Sequence, residues 1–435
     1  MNQIDDTTKF SLQIDPITHK NITFFHCEHR SIKSTSALVY CANVSITLET
    51  CPNCGFTNLC HNGHFKSLVT YLSINASRPV YLELHKERLL CRNCHATFMA
   101  TTDLVDKFCN ISNANKQKLV MSLQDDRTQK SIATDLNLSA STVCRYLDNY
   151  DDLFRHNYNF LPDHLSMDEF RGLKGQLYFI CANGANDHEI VQILPNRFKS
   201  TIKEYFQSFP ILARKQVKTV TIDLNSYYYE LARESFPNAQ IIADRFHIVQ
   251  TMTRSFNQTR TGLMKQHPKD TLEYRVLKYT WRLYLEHADD LEVKQQRYDR
   301  HLKMALTQAQ RVQLGLDVDE VLANTYSVMQ SIMYCIRHHD KDGIVDCLYK
   351  NDKLSSQMKA TLITFKKHLE LILNGAESNL SNGPIEGINR MIKQIQRTAF
   401  GFRNYKHLIV RIKLNQSRTK PGTKKQDPKL LSLAS

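Results

Sequence analysis

The chain has 435 residues, of which 42% are hydrophobic and 23% are charged, and its formal net charge is +14 at pH 7. This length allows about two to four domains of ~100–200 residues each. No apolar run approaches the ~18 residues that cross a bilayer, which argues against a membrane protein, and the excess of Lys and Arg favours a polyanionic partner. Its first residues, MNQIDDTTKF, lack the basic and apolar regions of a secretory signal, so we expect a cytoplasmic protein.

Two pairs of cysteines suggest a metal site near the N-terminus. The pairs are CPNC (Cys51, Cys54) and CRNC (Cys91, Cys94). The C-x2-C spacing lets two thiolates approach one tetrahedral zinc, so the two pairs together predict a closed structural Zn²⁺ site. Four buried free cysteines are the alternative, and the ligand set stays open because other residues could replace one thiolate: Cys60, His61 and His64. The segment YLSINASRPVYLELHKERLL between the pairs alternates like strands.

Residues 129–148, QKSIATDLNLSASTVCRYLD, have the spacing of a helix-turn-helix. The apolar positions are Ile132, Leu136, Leu138, Val143 and Tyr146. Small Ala133 lies where two helices would cross closely, and Asn137 lies where the turn needs a left-handed residue. We predict that Ser139 caps the second helix and that its outer face presents three side chains to the DNA major groove: Ser141, Thr142 and Arg145. A helical hairpin within a core is the alternative.

From residue 164 onward the pattern predicts a mixed sheet. LSMDEF, GQLYFICAN and HEIVQILPNR are three short apolar runs that predict an antiparallel meander. They are followed by a helix in FKSTIKEYFQSFP, a buried strand in VKTVTIDLN, a helix in NSYYYELARESFP and a further strand in AQIIADRFHIV. The order β-β-β-α-β-α-β implies a mixed sheet covered by helices.

Three acids are placed at the ends of these predicted strands: Asp168 at the first, Asp223 at the fourth and Asp244 at the fifth. A lone Asp at such a place is usually a cap or turn residue. First and fourth strands are neighbours in the ribonuclease H arrangement, however, so the carboxylates of Asp168 and Asp223 could meet. Clustered carboxylates repel each other unless a cation or proton intervenes, and hard oxygen ligands suit Mg²⁺ or Mn²⁺. Metal-dependent attack on a phosphodiester by two ions usually needs a third carboxylate as well.

A basic segment near the C-terminus, IEGINRMIKQIQR, supplies that third carboxylate. Pro384 favours a helix start, which places Glu386 in the first turn, where the helix dipole favours negative charge. Asn389, Lys393 and Arg397 follow on the same face and could contact phosphate. A Glu that only complements the dipole of a basic surface helix is the alternative. The final stretch, residues 417–435, is rich in Lys, Pro and Gly and predicts a disordered basic tail.

Together these motifs resemble the DDE transposases of bacterial insertion sequences, specifically the ISL3 group. The resemblance rests on CPNCG, CRNC, SMDEF, TIDLNSYYYELARESFPNAQIIADRFHIV and IEGINRMIKQIQRTAFGFRNY. It implies a catalytic triad of Asp168, Asp223 and Glu386 that holds two Mg²⁺ or Mn²⁺ ions. The string DRFH gives Asp244 and His247 a supporting or metal-proximal role.

The resemblance also implies a multidomain α+β fold. Its parts would be a zinc-binding domain (1–105), a helix-turn-helix (106–160), a ribonuclease H-like core (161–258 and 376–416), an all-helical insertion (259–375) and the basic tail (417–435). The first two parts would bind the terminal inverted repeats of the element, and the core would cut DNA and transfer the strand to target DNA. Because two DNA ends must be brought together, an oligomer on DNA is expected.

Two other classes of protein share many of these features. A ribonuclease H-like nuclease would use the same acids to hydrolyse DNA without joining ends. A DNA-binding regulator built on a transposase scaffold would keep the zinc and helix-turn-helix signals and could lose an acid. All three acids are present in the sequence, which disfavours the regulator, whereas hydrolysis and strand transfer are not separated by the sequence.

Overall fold

The computed structural model describes residues 3–73, 78–150, 158–185, 187–224, 226–350 and 353–419. The chain forms two compact units, one made of Met1–Arg155 and Ile392–Ser435 and the other of His156–Met391. From residue 420 onward, the predicted basic tail lies outside the described residues. None of the helices in the described ranges is long and apolar enough to cross a membrane.

The first unit begins with a short helix and a five-stranded sheet. Its elements are α1 (Gln3–Ser11), β1 (Ile22–Ile32), β2 (Thr35–Val44), β3 (Leu59–Tyr71), β4 (Val80–Cys91) and β5 (Thr97–Met99). The strand order is β1-β2-β4-β3, with β5 also paired to β4, and only the β2–β4 pairing is parallel. Apolar residues alternate along the strands, so that one face buries a core that includes Phe24, Leu82 and Leu84. In the segment YLSINASRPVYLELHKERLL, where strands were predicted, β4 confirms a strand from Val80 onward, whereas β3 ends at Tyr71, the first residue of that segment.

Three short helices follow in the same unit: α2 (Asn113–Leu123), α3 (Gln129–Asp135) and α4 (Ala140–Tyr150). Asn137, in the turn between α3 and α4, has φ +52°, which confirms the predicted left-handed residue. The Ser139 Oγ accepts a hydrogen bond from the Thr142 N–H at 3.1 Å and so caps α4 as predicted. Ile132 and Val143 are fully buried between the helices.

The second unit contains a five-stranded mixed sheet with helices. Its elements are β6 (His164–Arg171), β7 (Leu177–Asn183), β8 (Ile190–Leu194), α5 (Lys199–Gln207), α6 (Ile211–Gln216), β9 (Thr219–Ile222), α7 (Ser226–Ser235) and β10 (Gln240–Ala243). The strand order is β10-β9-β6-β7-β8. β6, β7 and β8 form the predicted antiparallel meander, while β9 lies parallel to both β6 and β10. The first and fourth strands are therefore neighbours, as predicted.

Two sequence predictions about this sheet are wrong in detail. The fifth strand was expected to run through AQIIADRFHIV, but β10 ends at Ala243 and a helix starts at Arg245. The apolar residues Phe246, Ile248 and Val249 fit either periodicity over so short a run, and Asp244 in extended conformation starts the helix instead. Asp168 does not end its strand either, because it lies inside β6 opposite Ile180 of β7.

The rest of the second unit is mostly helical. Its helices are α8 (Arg245–Met264), α9 (Leu272–Tyr279), α10 (Gln308–Leu316), α11 (Glu320–Arg337), α12 (Lys341–Tyr349), α13 (Ser356–Lys367) and α14 (Leu369–Glu377). They enclose large apolar side chains such as Phe256, Tyr284 and Phe365. The prediction of an all-helical insertion is wrong, because β11 (Arg297–Asp299) and β12 (Met304–Leu306) form an antiparallel hairpin within it. These strands have only three residues each, which is too short for an alternating pattern to be recognised.

The last two helices are α15 (Gly383–Thr398), which begins in the second unit and continues into the first, and α16 (Tyr405–Thr419). α16 packs against α2 and α4, and its Val410 and Leu414 join the core of that bundle. Arg411 Nη2 donates to the carbonyl oxygens of Asp125 at 2.6 Å and Arg127 at 2.9 Å, between α2 and α3. The helices at residues 113–150 thus form one core with a helix from the far end of the sequence.

Leu414→Ala is expected to lower the free energy of unfolding of the first unit by about 2–5 kcal/mol, because a fully buried side chain would leave a cavity. Urea unfolding followed by far-ultraviolet circular dichroism measures this change. Met121→Ala is the matched control, since Met121 lies on α2 of the same bundle with its side chain half exposed, and it should cost less than about 0.5 kcal/mol. Equal stability of the two variants would show that α16 does not belong to this core.

Candidate active site

Helix α14 approaches the end of strand β10 closely because it carries a glycine there. A Cβ built at Gly375 would lie 2.3 Å from the Ala243 carbonyl oxygen, so any side chain would push the helix away. Asn374 Nδ2 donates to the Ile241 carbonyl oxygen at 3.0 Å, which fixes the same contact. The chain that leaves α14 is therefore held beside the residue that follows β10, Asp244.

Asn382, just before α15, connects this region to the neighbouring strand. Its backbone N–H donates to Asp244 Oδ1 at 3.3 Å, and its side-chain Nδ2 donates to the Met167 carbonyl oxygen in β6 at 3.3 Å. The first turn of α15 starts from it, since the Glu386 N–H donates to the Asn382 carbonyl oxygen at 3.0 Å. Asn382 is almost fully buried. It thus places the start of α15 at the ends of the strands, a role that sequence reasoning missed.

Five ionisable residues of this unit come from separate elements. Asp168 lies in β6, Asp223 directly follows β9, and Asp244 directly follows β10. His247 lies in the first turn of α8, and Glu386 lies in the first turn of α15, where it was predicted. The placement of Asp223 and Asp244 after parallel neighbouring strands confirms the sequence prediction for these two acids.

His247 lies between the carboxylates. Its Nε2 is 2.8 Å from Asp223 Oδ1 and 3.8 Å from Asp244 Oδ2. Asp244, His247 and Glu386 each offer one ligand atom, and these three atoms lie within 4.8 Å of one another. The sequence predicted a supporting or metal-proximal role for His247, and its position beside Asp244 and Glu386 agrees with a metal-proximal one. The signal that points to it is its spacing of three residues from Asp244, which is one helical turn.

Asp168 is held in place by two hydrogen bonds. Its Oδ1 accepts from the Glu169 N–H at 2.7 Å, and its Oδ2 accepts from Asn389 Nδ2 at 2.7 Å. Burial raises the pKa of Asp168 to about 6, and the negative charge of Asp223 adds to this rise. Asn389 was expected to contact phosphate, but in the structure its side chain binds this carboxylate.

The surroundings of His247 and Asp244 also change the pKa values of these two groups. The close contact with the Asp223 carboxylate raises the pKa of His247, and burial raises the pKa of Asp244. Asp244 is fully buried, yet its Oδ2 has no hydrogen-bond partner among the described residues. A buried carboxylate oxygen without a partner costs free energy unless a proton or cation reaches it. Asp223 and His247 remain about one third and one quarter exposed, so solvent reaches the cluster.

This donor set fits a hard divalent cation. Carboxylate oxygens from Asp244 and Glu386 are ligands that Mg²⁺ and Mn²⁺ prefer. Among the described residues, no Lys or Arg forms an ion pair with Asp168, Asp223, Asp244 or Glu386. Apart from His247, these carboxylates therefore have no cationic side chain to neutralise them, which leaves negative charge for a metal ion.

The other predicted site residues lie further along α15 and in α4. Lys393 and Arg397 are exposed on α15. In α4, Ser141 and Arg145 are exposed as predicted. Thr142 is buried, which corrects the expectation that it faces outward. Its hydroxyl lies 2.8 Å from Ser139 Oγ and accepts from Arg145 Nη2 at 3.3 Å, so it belongs to the cap of the helix.

The four paired cysteines come together in the first unit. Cys51 Sγ lies 3.5 Å from Cys94 Sγ, Cys54 Sγ lies 3.7 Å from Cys91 Sγ, and all four sulfurs lie within 4.8 Å of one another. A hydrogen bond from the Ala96 N–H lowers the pKa of Cys94 to about 6, which favours a thiolate. The cluster could hold a zinc ion. Cys60, His61 and His64 are not part of it, and Cys60 Sγ donates instead to the Leu90 carbonyl oxygen.

Comparison with known proteins agrees with the earlier resemblance. A transposase of the insertion sequence element IS1001 from Bordetella parapertussis is 23% identical over 344 residues, which cover 77% of this chain and 80% of that protein. An ATP-dependent protease of Lactococcus lactis is 30% identical over 119 residues, but these cover only 27% of this chain and 38% of that protein. The ISL3 transposase family matches residues 165–412, which is more than half of the chain. The chain therefore belongs to the ISL3 family of transposases.

Proposed function

We propose that the protein is a DDE transposase that binds the terminal inverted repeats of an insertion sequence and catalyses metal-dependent DNA cleavage and strand transfer. The observation that carries the proposal is the meeting of the Asp223, Asp244 and Glu386 carboxylates around His247. The charge of Asp223 also acts on the buried carboxyl of Asp168 in β6. The strand order β8-β7-β6-β9-β10, with β9 and β10 parallel to one another, is that expected of a ribonuclease H-like core.

In this proposal, Asp168, Asp223 and Glu386 hold two Mg²⁺ or Mn²⁺ ions, with Asp244 and His247 close enough to share one of them. The ions, when bound, would supply Lewis acidity to the phosphodiester and to the attacking oxygen. Asn389 orients Asp168, and His247 orients Asp223. Replacing a residue that orients a metal ligand typically lowers metal affinity or activity by about 10–100-fold.

Two chemical steps follow from this arrangement. Water attacks a phosphodiester at the end of the element and frees a 3′-OH. That 3′-OH then attacks a phosphodiester of the target DNA in line, so that no covalent bond to the protein is needed. The positions of the acids serve both steps equally well, because both are in-line attacks on phosphorus.

Binding of the DNA ends is assigned to the first unit. We propose that α3 and α4 act as a helix-turn-helix with α4 in the major groove, and that the four cysteines hold a structural zinc. Lys and Arg contacts to phosphate would supply most of the affinity. Because two ends must be brought together, we propose a dimer or larger oligomer on DNA.

Arg145→Ala is expected to weaken binding to the terminal repeat by about 1–3 kcal/mol, which is about 5–150-fold, and to weaken binding to random duplex much less. Arg145 is exposed on α4, where a side chain could reach a base edge. Electrophoretic mobility shifts at fixed salt with both duplexes measure the two losses. Lys130→Ala on the exposed surface of α3 is the control and should lower both affinities equally. An equal loss from Arg145→Ala would make Arg145 a phosphate contact.

The proposed function is tested by incubating the protein with Mg²⁺ or Mn²⁺, a labelled duplex that carries the end of the element, and a supercoiled target. Joined product from the wild type, absent with Asp223→Ala, would support the transposase. Cleavage without joining would favour a nuclease, and binding without either would favour a regulator. The affinity of Asp223→Ala for the labelled end is the control. It must stay within about twofold of the wild-type affinity, so that a loss of joined product reflects catalysis and not DNA binding.

A further inference from the structure

The helical part of the second unit carries an exposed group of aromatic and basic side chains that the proposed catalytic cluster does not use. We call it the aromatic patch: Lys278 and Tyr279 at the end of α9, Trp281 and Arg282 just after it, and His301 in the turn between β11 and β12. Tyr279 and Trp281 are 42% and 40% exposed. Large aromatic side chains this exposed at a helix end are available to a partner.

Contacts between α9 and the hairpin hold the patch in shape. The rings of Tyr279 and His301 are stacked, with centroids 3.8 Å apart and planes 7° apart. Arg275 Nη1 donates to the His301 carbonyl oxygen at 3.1 Å and ties the hairpin turn to α9. The Tyr279 ring is thus fixed in orientation before any partner binds, which reduces the entropy cost of binding.

Two cations lie against these rings. Lys278 Nζ lies 5.3 Å from the Tyr279 ring centroid, and Arg282 Cζ lies 5.3 Å from the Trp281 ring centroid. Residues 265–303 contain nine Lys and Arg and seven acids, and four of these acids lie in the segment 283–293. One of those acids, Asp299, is already paired with Arg311. Within the described ranges, no ion pair with a carboxylate is formed by Lys278, Arg282, Arg300 or Lys303.

Exposed aromatic rings beside unpaired cations match the chemistry of nucleic acid. Bases stack on aromatic side chains, and phosphates pair with Lys and Arg. In a continuous duplex the base faces are covered by neighbouring bases, so only phosphates would be available to the patch. The rings can stack on bases only where the bases are unpaired. We propose that the aromatic patch binds DNA with unpaired bases, an inference that rests on the proposed function only in taking DNA as the partner.

Trp281 makes the proposal directly measurable because it is the only tryptophan of the chain. Its emission is recorded while the full-length protein is titrated with an oligothymidylate in EDTA, and with a duplex of equal length at the same salt. We expect strong quenching by the single strand and much less by the duplex. The absence of divalent ions removes cleavage, so the signal does not depend on the catalytic residues.

Variants identify the contact. Binding of a labelled oligothymidylate, followed by fluorescence anisotropy, should weaken about 5–150-fold for Trp281→Ala, as expected for loss of one stacked base. Trp281→Phe keeps an aromatic face and should lose less than Trp281→Ala. Tyr349→Ala is the matched control, since Tyr349 is an exposed ring with Lys366 Nζ 4.6 Å from its centroid outside the patch. It should leave affinity within about twofold.

Several outcomes would overturn the proposal. Equal quenching by duplex and single strand would make the patch a phosphate-binding surface. Emission that changes with protein concentration alone would make it a contact between two copies of the chain. If Trp281→Phe and Trp281→Ala bind the single strand as the wild type does, the patch is not the binding site, whatever the joining assay shows. Conversely, quenching by the single strand together with no DNA cleavage in Mg²⁺ would support binding at the aromatic patch and contradict the proposed enzyme activity.

Discussion

Glu386→Gln is expected to reduce the rate of metal-dependent DNA cleavage by more than about 100-fold, which is the upper end of the loss when a residue that only orients a metal ligand is changed. The substitution keeps the shape of the side chain and removes one negative charge from the cluster with Asp244 and His247. Because Glu386 belongs both to the triad expected from sequence and to the cluster found in the structure, the prediction holds for either set of ligands. Single-turnover cleavage of a labelled end measures the rate.

Glu377→Gln is the matched control for this experiment. Glu377 ends α14 and is exposed, where it pairs with Lys341 at 2.5 Å. Surface pairs of this kind contribute little, so cleavage should stay within about twofold of wild type. Calorimetric titration with Mn²⁺ gives a second measurement, in which Glu386→Gln should bind the ion more weakly and Glu377→Gln should not. Normal cleavage by Glu386→Gln would remove Glu386 from the active site.

The strands and two of their acids were predictable because their pattern is local. Asp223 and Asp244 follow short apolar runs, and such runs mark buried strands whatever the rest of the chain does. Glu386 was predictable for a similar reason, since Pro384 marks the start of its helix. The helix that begins at Arg245 was not predictable, because a four-residue strand followed at once by a helix leaves too few residues to show either periodicity.

The contacts within the cluster could not be predicted, because they join residues far apart in the sequence. Asn389 binds Asp168 across 221 positions, and Asn382 binds the Met167 carbonyl oxygen across 215. Nothing in the string SNGPIEGIN indicates which side chain faces the sheet. The sequence also does not predict the close approach of Gly375 to Ala243. A glycine within a helix is expected to destabilise the helix, and its sequence position does not show that another backbone lies against it.

Helices α3 and α4 show the same difference between local and distant contacts. The turn at Asn137 and the cap at Ser139 were predictable from local geometry. The burial of Thr142 was not predicted, although Thr142 lies one helical turn before the apolar position Tyr146. The packing of α16 onto this bundle depends on Arg411 and Asn415, which bind the carbonyl oxygens of residues more than 280 positions earlier.

Cys51→Ser is expected to abolish binding of zinc by the full-length protein and to unfold part of the first unit. The Cys51 sulfur lies within 4.8 Å of the other three, and a serine hydroxyl is a poor zinc ligand at neutral pH. Structural zinc contributes about 10–16 kcal/mol in small zinc domains, more than the stability of most domains, so loss of the ion should release the segment that holds it. Elemental analysis and limited proteolysis measure the two effects.

Cys60→Ser is the control that also settles the ligand set. Cys60 lies in β3 near the cluster in sequence, but its Sγ donates to the Leu90 carbonyl oxygen. We therefore expect one zinc per chain and an unchanged digestion pattern in this variant. If Cys60→Ser loses zinc while Cys51→Ser keeps full occupancy, then Cys60 is the zinc ligand and Cys51 is not. Zinc retained by both variants would mean that the four sulfurs do not form the site, since a closed tetrahedral centre needs all of its ligands.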